Sequence, residues 1–408
     1  MVMRRVFNHH VCLCVLSTAI LAGLALMTSQ TKVYAGNNCQ GVVSGDGGSD
    51  SQFDPIVCDG GSEGSGKNGE LTGNRNINMG GQSGAAVTIT GSSTKIRIRS
   101  KLTVTDSKGS RSSNDNPAIK VDGGGELTVM NANVTGVKKG MEVSGPSSSV
   151  TVLQGTIGVG NGMGPVIEVS NNGKVEMMGA TITLQGDGSK GLVMKGGKAT
   201  VMGATITVGA GATGTTGVEV KGDANVTLMG VTVEKVQTGI TKGGSGTLTL
   251  NGGTKINVVA GGKGLEVTGS GTVKLEGTEI TGSGGSGTGV EVTGSANVTL
   301  TSVTMKQVAK GITMTGGTLT LNGGSKINVK QGGTGLDVSS GKVTMTEGEI
   351  TGSGKGKGVW VKGGEVVMNT VGITGGETGV LMGAGVTSAT LTGVTITGVE
   401  EGIKMEGG

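Results

Sequence analysis

A short phrase recurs along the chain and limits its folding more than any other feature: a glycine, then apolar residues favoured at the second and fourth places. It stands as Gly140-Met-Glu-Val143, Gly191-Leu-Val-Met194, Gly217-Val-Glu-Val220, Gly239-Ile-Thr-Lys242, Gly264-Leu-Glu-Val267 and Gly289-Val-Glu-Val292. It returns as Gly311-Ile-Thr-Met314, Gly335-Leu-Asp-Val338, Gly358-Val-Trp-Val361, Gly379-Val-Leu-Met382 and Gly402-Ile-Lys-Met405, with Ala118-Ile-Lys-Val121 and Val166-Ile-Glu-Val169 as variants. From residue 118 to residue 402 the mean interval is about 24 residues, a solenoid period. Each interval holds two further short strands, such as Asn225-Val-Thr-Leu-Met229 and Thr205-Ile-Thr207, all alternating with period two so that one face is buried. Gly, Ser and Asn between them supply tight turns. Three strands and three turns per coil describe an all-β fold, a right-handed parallel β-helix of about 12–14 coils, each pairing with the next at about 4.8 Å.

A longer repeat lies on top. Thr247-Leu-Thr-Leu-Asn-Gly-Gly-Thr-Lys-Ile-Asn-Val258 recurs nearly unchanged from Thr318 to Val329, 71 residues on. Three coils duplicated together, which a quasi-one-dimensional fold accommodates easily. Composition agrees. Of 408 residues 87 are Gly, against a usual share of about 7%. The aromatics are Phe7, Tyr34, Phe53 and Trp360, too few for a conventional globular core. Gly without a three-residue period excludes collagen, and abundant β-branched residues argue against disorder.

Residues 1–35 read as a secretory signal: Arg4 and Arg5, an apolar run from Val11 to Met27, then Val33-Tyr34-Ala35 as a small-x-small cleavage site. An uncleaved anchor is the alternative, and Arg4-Arg5 only partly fits a twin-arginine signal. Removing the signal takes away both histidines and leaves a net charge of +1. It also leaves two cysteines, Cys39 and Cys58, expected to pair in an exported chain. Closing that loop contributes roughly 3 kcal/mol. Residues 36–85 lack the phrase and are expected to cap the coils of 86–408, since an open end exposes unpaired strand groups.

A secretory signal, a cysteine-pinned cap and Gly-rich coils resemble the passenger domain of a bacterial autotransporter, with the pectin-lyase-like β-helix as its fold. The Cys39–Cys58 segment most resembles passengers of host-associated alphaproteobacteria. The resemblance implies a surface or secreted adhesin of virulence type whose partner is a host glycan or protein receptor. It also implies a C-terminal translocator barrel. Aromatic girdles for one are missing here, so the outer membrane enters only through a barrel absent from this chain. A fragment, a truncated product or remnant, and a passenger exported by another route stay open.

Without a histidine after cleavage, a Ser–His–Asp or Cys–His site is excluded. β-Helical pectate lyases and polygalacturonases, the rival reading as carbohydrate-active enzymes, cluster Asp, Lys and Arg, often with Ca²⁺. Here Asp106, Asp122, Asp187, Asp223 and Asp337 fall in different coils, and Asp46, Asp50 and Asp54 lack the spacing of a calcium loop. No catalytic residue, metal or cofactor is expected, and a charge near zero argues against nucleic acid.

The sharpest local feature is Lys95-Ile-Arg-Ile-Arg-Ser-Lys-Leu-Thr-Val104, with Ile96, Ile98, Leu102 and Val104 inward. Lys95, Arg97, Arg99 and Lys101 then share one outward strand face. They suit an anionic glycan or lipopolysaccharide, or else guard a sheet edge against strand addition. Glu266 and Glu291, outward on adjoining coils, oppose each other and suggest either a weak cation site or carboxylates splayed into solvent. At the same position Trp360 and Leu381 replace the acid and form an expected apolar patch for a partner or sugar. Lys255 with Glu279, and Lys326 with Glu349, read as charge pairs between coils. The stacked Thr181/Thr183 and Thr205/Thr207 break off too soon for an ice-binding ladder. Three Asn-Val-Thr sequons and the tripeptide Lys221-Gly-Asp223 are read as coincidental.

Overall fold

The computed structural model describes residues 53–59, 68–81, 83–108, 114–160 and 164–406. Over these it is a right-handed parallel β-helix of about 14 turns with roughly 24 residues per turn. The second place of the phrase builds the core. Val218 stands in register with Ile240, then Leu265, Val290, Ile312, Leu336 and Val359, all fully buried. Two further parallel sheets complete each coil, as in Lys174–Met178 and Ala180–Leu184 followed by Lys198–Met202 and Thr205–Val208. One 3-10 turn, Met79–Gly81, is the helix found among the described residues.

At Gly239 the phrase glycine is required by packing. A Cβ on Gly239 would lie 2.3 Å from Ile256 Cγ2 and 2.4 Å from the Gly264 carbonyl oxygen, closer than side chains approach. Gly264, Gly311, Gly335, Gly358 and Gly379 are as tightly enclosed, so glycine lets these phrase strands sit against the next coil and the neighbouring sheet.

The coils begin inside the segment expected to be only a cap. Ile56–Asp59 pairs with Val87–Thr90, Asn68–Leu71 with the start of Lys95–Thr105, and Arg75–Asn78 with its end. Ile56-Val-Cys-Asp59 is a phrase strand without its glycine, and Cys58 takes the fourth place, facing inward and fully buried. Its sulfur is in a disulfide. Cys39, the expected partner, and the signal of residues 1–35 lie outside the described residues.

Candidate binding surfaces

The cationic strand Lys95–Thr105 carries its four cations outward, with Ile96, Ile98, Leu102 and Val104 buried between them. Two expectations change. The strand bends: its register against Glu126–Val137 shifts between Ile98 and Lys101, and Ser100 at the corner donates its hydroxyl to the Thr72 carbonyl. Lys95 and Arg97 therefore occupy one sheet, while Arg99 and Lys101 line the corner. Nor is the strand an edge, because it is paired on both sides, which removes the edge-guard explanation. Lys95 Nζ lies 2.8 Å from Glu126, and Arg99 pairs with Glu70. Among the described residues Arg97 and Lys101 make no ion pair, since Glu70, in register with Arg97, pairs with Arg99 instead, so two exposed cations are left over on this surface.

The polar place of the phrase forms a second column down the rod. Glu266 and Glu291 are in register as expected, but they do not meet unscreened. Lys263 Nζ lies between them, 2.6 Å from Glu266 Oε1 and 3.0 Å from Glu291 Oε2, where a bound cation would otherwise sit. Burial opposes the Lys263 ammonium, yet hydrogen bonds to the two glutamates outweigh it and raise its pKa. Glu219 repeats the device with Lys190 at 2.8 Å and Lys221 at 3.1 Å. Burial pushes its carboxyl up, but these two lysines bring it below the ordinary glutamate value. Asp337, 1% exposed, is held by Lys310 at 3.3 Å and Lys362 at 2.7 Å. Sequence reasoning missed these lysines. The signal was there: Lys190, Lys263 and Lys310 each stand directly before the phrase glycine.

The apolar patch is not found as expected. Leu381 is in register with Trp360 but only 3% exposed, because Trp360 flanks it on one coil and Lys404 on the next. Trp360 is half-buried beneath two ammonium groups, Lys362 at 3.8 Å and Lys357 at 5.1 Å from the ring centroid. Lys362 joins it to Asp337, so the indole is clamped by cation–π contacts rather than left open as a platform. Lys326 and Glu349 pair at 3.2 Å, whereas Glu279 takes Lys306 at 3.1 Å instead of Lys255.

A family model described as the right handed beta helix region matches residues 216–371. No curated protein and no solved structure matches the chain.

Proposed function

We propose that this right-handed parallel β-helix works as an exported, autotransporter-type passenger, a non-catalytic adhesin that holds anionic glycans on its first complete coils. The observation that carries the reading is the cationic corner. Four outward cations meet two carboxylates, and Arg97 and Lys101 keep their charge for a ligand. Sulfate and carboxylate groups of a host-surface polysaccharide match that surplus, and Arg offers a planar fork to them.

The carboxylates along the phrase column support the same reading. Glycoside hydrolysis uses two carboxyl groups about 5–10 Å apart, one of them free to hold or accept a proton. Glu266 and Glu291 have the spacing of adjacent coils, but Lys263 bridges them and holds both in ion pairs. Glu219 and Asp337 are each held by two lysines.

The test is retention on immobilised heparin as salt is raised. Wild type should bind and release steeply with salt, because exposed charges are screened beyond about 8 Å at 0.15 M. The double variant Arg97→Ser/Lys101→Ser should lose binding with its circular dichroism unchanged. Lys274→Ser, further along the same outward face, should bind as wild type does. Equal retention of the double variant would refute the site.

A further inference from the structure

Three methionines stand in one exposed column. Met178, at the end of Lys174–Met178, is in register with Met202, and Met202 with Met229. All three face away from the core, their strand neighbours Met177, Val201 and Leu228 being fully buried. Met178 is 37% and Met229 42% exposed, and Met202 between them is half-buried. Each precedes a glycine of positive φ, and the Gly179 and Gly203 amides donate to the Met202 and Met229 carbonyls, both at 2.9 Å. The corner thus repeats from coil to coil, and with it the origin of each thioether.

The fold does not require sulfur here. One coil further the column holds Asn251, and later Glu276, Thr301 and Asn322. A water-facing corner accepts polar residues, and within the apolar stretch of this column, which runs from Met130 through Leu153 to Met229, sulfur stands on three successive coils at Met178, Met202 and Met229. Neighbouring strands lie about 4.8 Å apart. A metal–sulfur bond is about 2.3 Å long, so two sulfurs sharing one ion in a line stand about 4.6 Å apart. In-register methionines with flexible side chains meet that spacing without moving the backbone. Thioethers are soft ligands and select Cu(I)-type ions over hard cations.

We propose that Met178, Met202 and Met229 form a binding site for a soft monovalent cation of the Cu(I) class. Two neighbouring sulfurs hold the ion, with Met202 common to either pair. The ligands are neutral and carry no proton to displace. Binding is therefore flat between about pH 4 and about pH 8, whereas imidazole, thiolate or carboxylate sites weaken toward acid.

The experiment uses the full exported chain with free thiols blocked by N-ethylmaleimide, its methionine methyls carbon-13 labelled, in chloride-free buffer. Silver(I) nitrate, kept in the dark, is the probe, because unlike Cu(I) it is not oxidised by air. The expected result is saturable shifting of the Met178, Met202 and Met229 methyl signals at one or fewer ions per ladder, equal at both pH limits. Met130 and Met405, exposed but outside the run, should stay in place. Met202→Leu, a mild change at a water-facing position, should weaken binding at least tenfold while the remaining methyl spectrum is retained. Leu153 lies between the Met130 and Met178 positions of the column, so Leu153→Met should bring the Met130 methyl into the responding set. No shifts, equal shifts of every exposed methionine, or unchanged binding in Met202→Leu would each overturn the proposal.

Discussion

Lys242 is the least expected residue of the core, and replacing it tests how the rod is held together. It occupies the fourth place of its phrase, in register with Val220 and Val267, and is 1% exposed. Its ammonium donates to the carbonyls of Gly243 at 2.7 Å and Gly244 at 3.1 Å. Among the described residues no carboxylate pairs with it. The duplication provides the comparison: Thr304–Met314 repeats Thr232–Lys242 and places the fully buried Met314 where Lys242 stands. Desolvating an ion costs several kcal/mol, and hydrogen bonds to a charged group return about 1.5–3 kcal/mol each. Even a buried ion pair, with its mutual attraction, can be exchanged for apolar residues of similar volume with a gain of about 1–4 kcal/mol. We expect Lys242→Met to stabilise the chain by about 2 kcal/mol, roughly a thirtyfold smaller unfolding constant. The pH dependence supplies a second handle. Burial holds the Lys242 pKa below its ordinary 10.5, so between the folded value and 10.5 the unfolded chain binds more protons. Stability contributed by this residue therefore rises with pH across that window, and the rise is absent from the variant. Urea unfolding followed by far-ultraviolet circular dichroism, for both proteins at neutral and alkaline pH, measures both effects. A variant less stable than wild type at neutral pH would show that the two carbonyl bonds outweigh desolvation, and one with the same alkaline slope that they balance it; either would contradict the expectation.

Gly239→Ala should cost about 2–3 kcal/mol by overpacking against Ile256 and the Gly264 carbonyl. Gly84→Ala, where a Cβ meets nothing within 4 Å, should stay within about 0.5 kcal/mol in the same unfolding assay. Lys263→Met should cost about 1 kcal/mol at neutral pH, a value kept small by the partial exposure of the lysine. Because the Lys263 pKa is raised, its contribution is present below pH 10.5 and is lost as pH rises through the folded value.

The coil was legible because two independent signals coincide. Period-two alternation fixes which side of each strand is inward, and the phrase glycine marks where each coil closes against the next. Only the alternation is present at Ile56–Asp59, which lacks the glycine, so the phrase alone does not mark the first coil. The outward surfaces were less legible, since alternation gives direction but not cover. Leu381 points outward as expected, yet its neighbours on adjacent coils bury it. The cationic strand reads as one continuous face because alternation passes unbroken through Ser100, whereas the backbone turns there. Lys263 reaches a carboxylate on its own coil and another on the next, a pairing that strand-by-strand reading does not look for. Met178, Met202 and Met229 each end an apolar-looking run, so their outward phase emerges only once the strand ends are fixed.

The most direct test of a binding coil against an enzyme is prolonged incubation of the chain with excess acidic polysaccharide. Bound fraction and polymer length are followed together, the latter by size-exclusion chromatography and by the absorbance of unsaturated uronates. The expected result is salt-sensitive binding that depends on Arg97 and Lys101, with polymer length unchanged at every time. Progressive shortening of the polymer, with new unsaturated or reducing ends in proportion to enzyme and time, would contradict it.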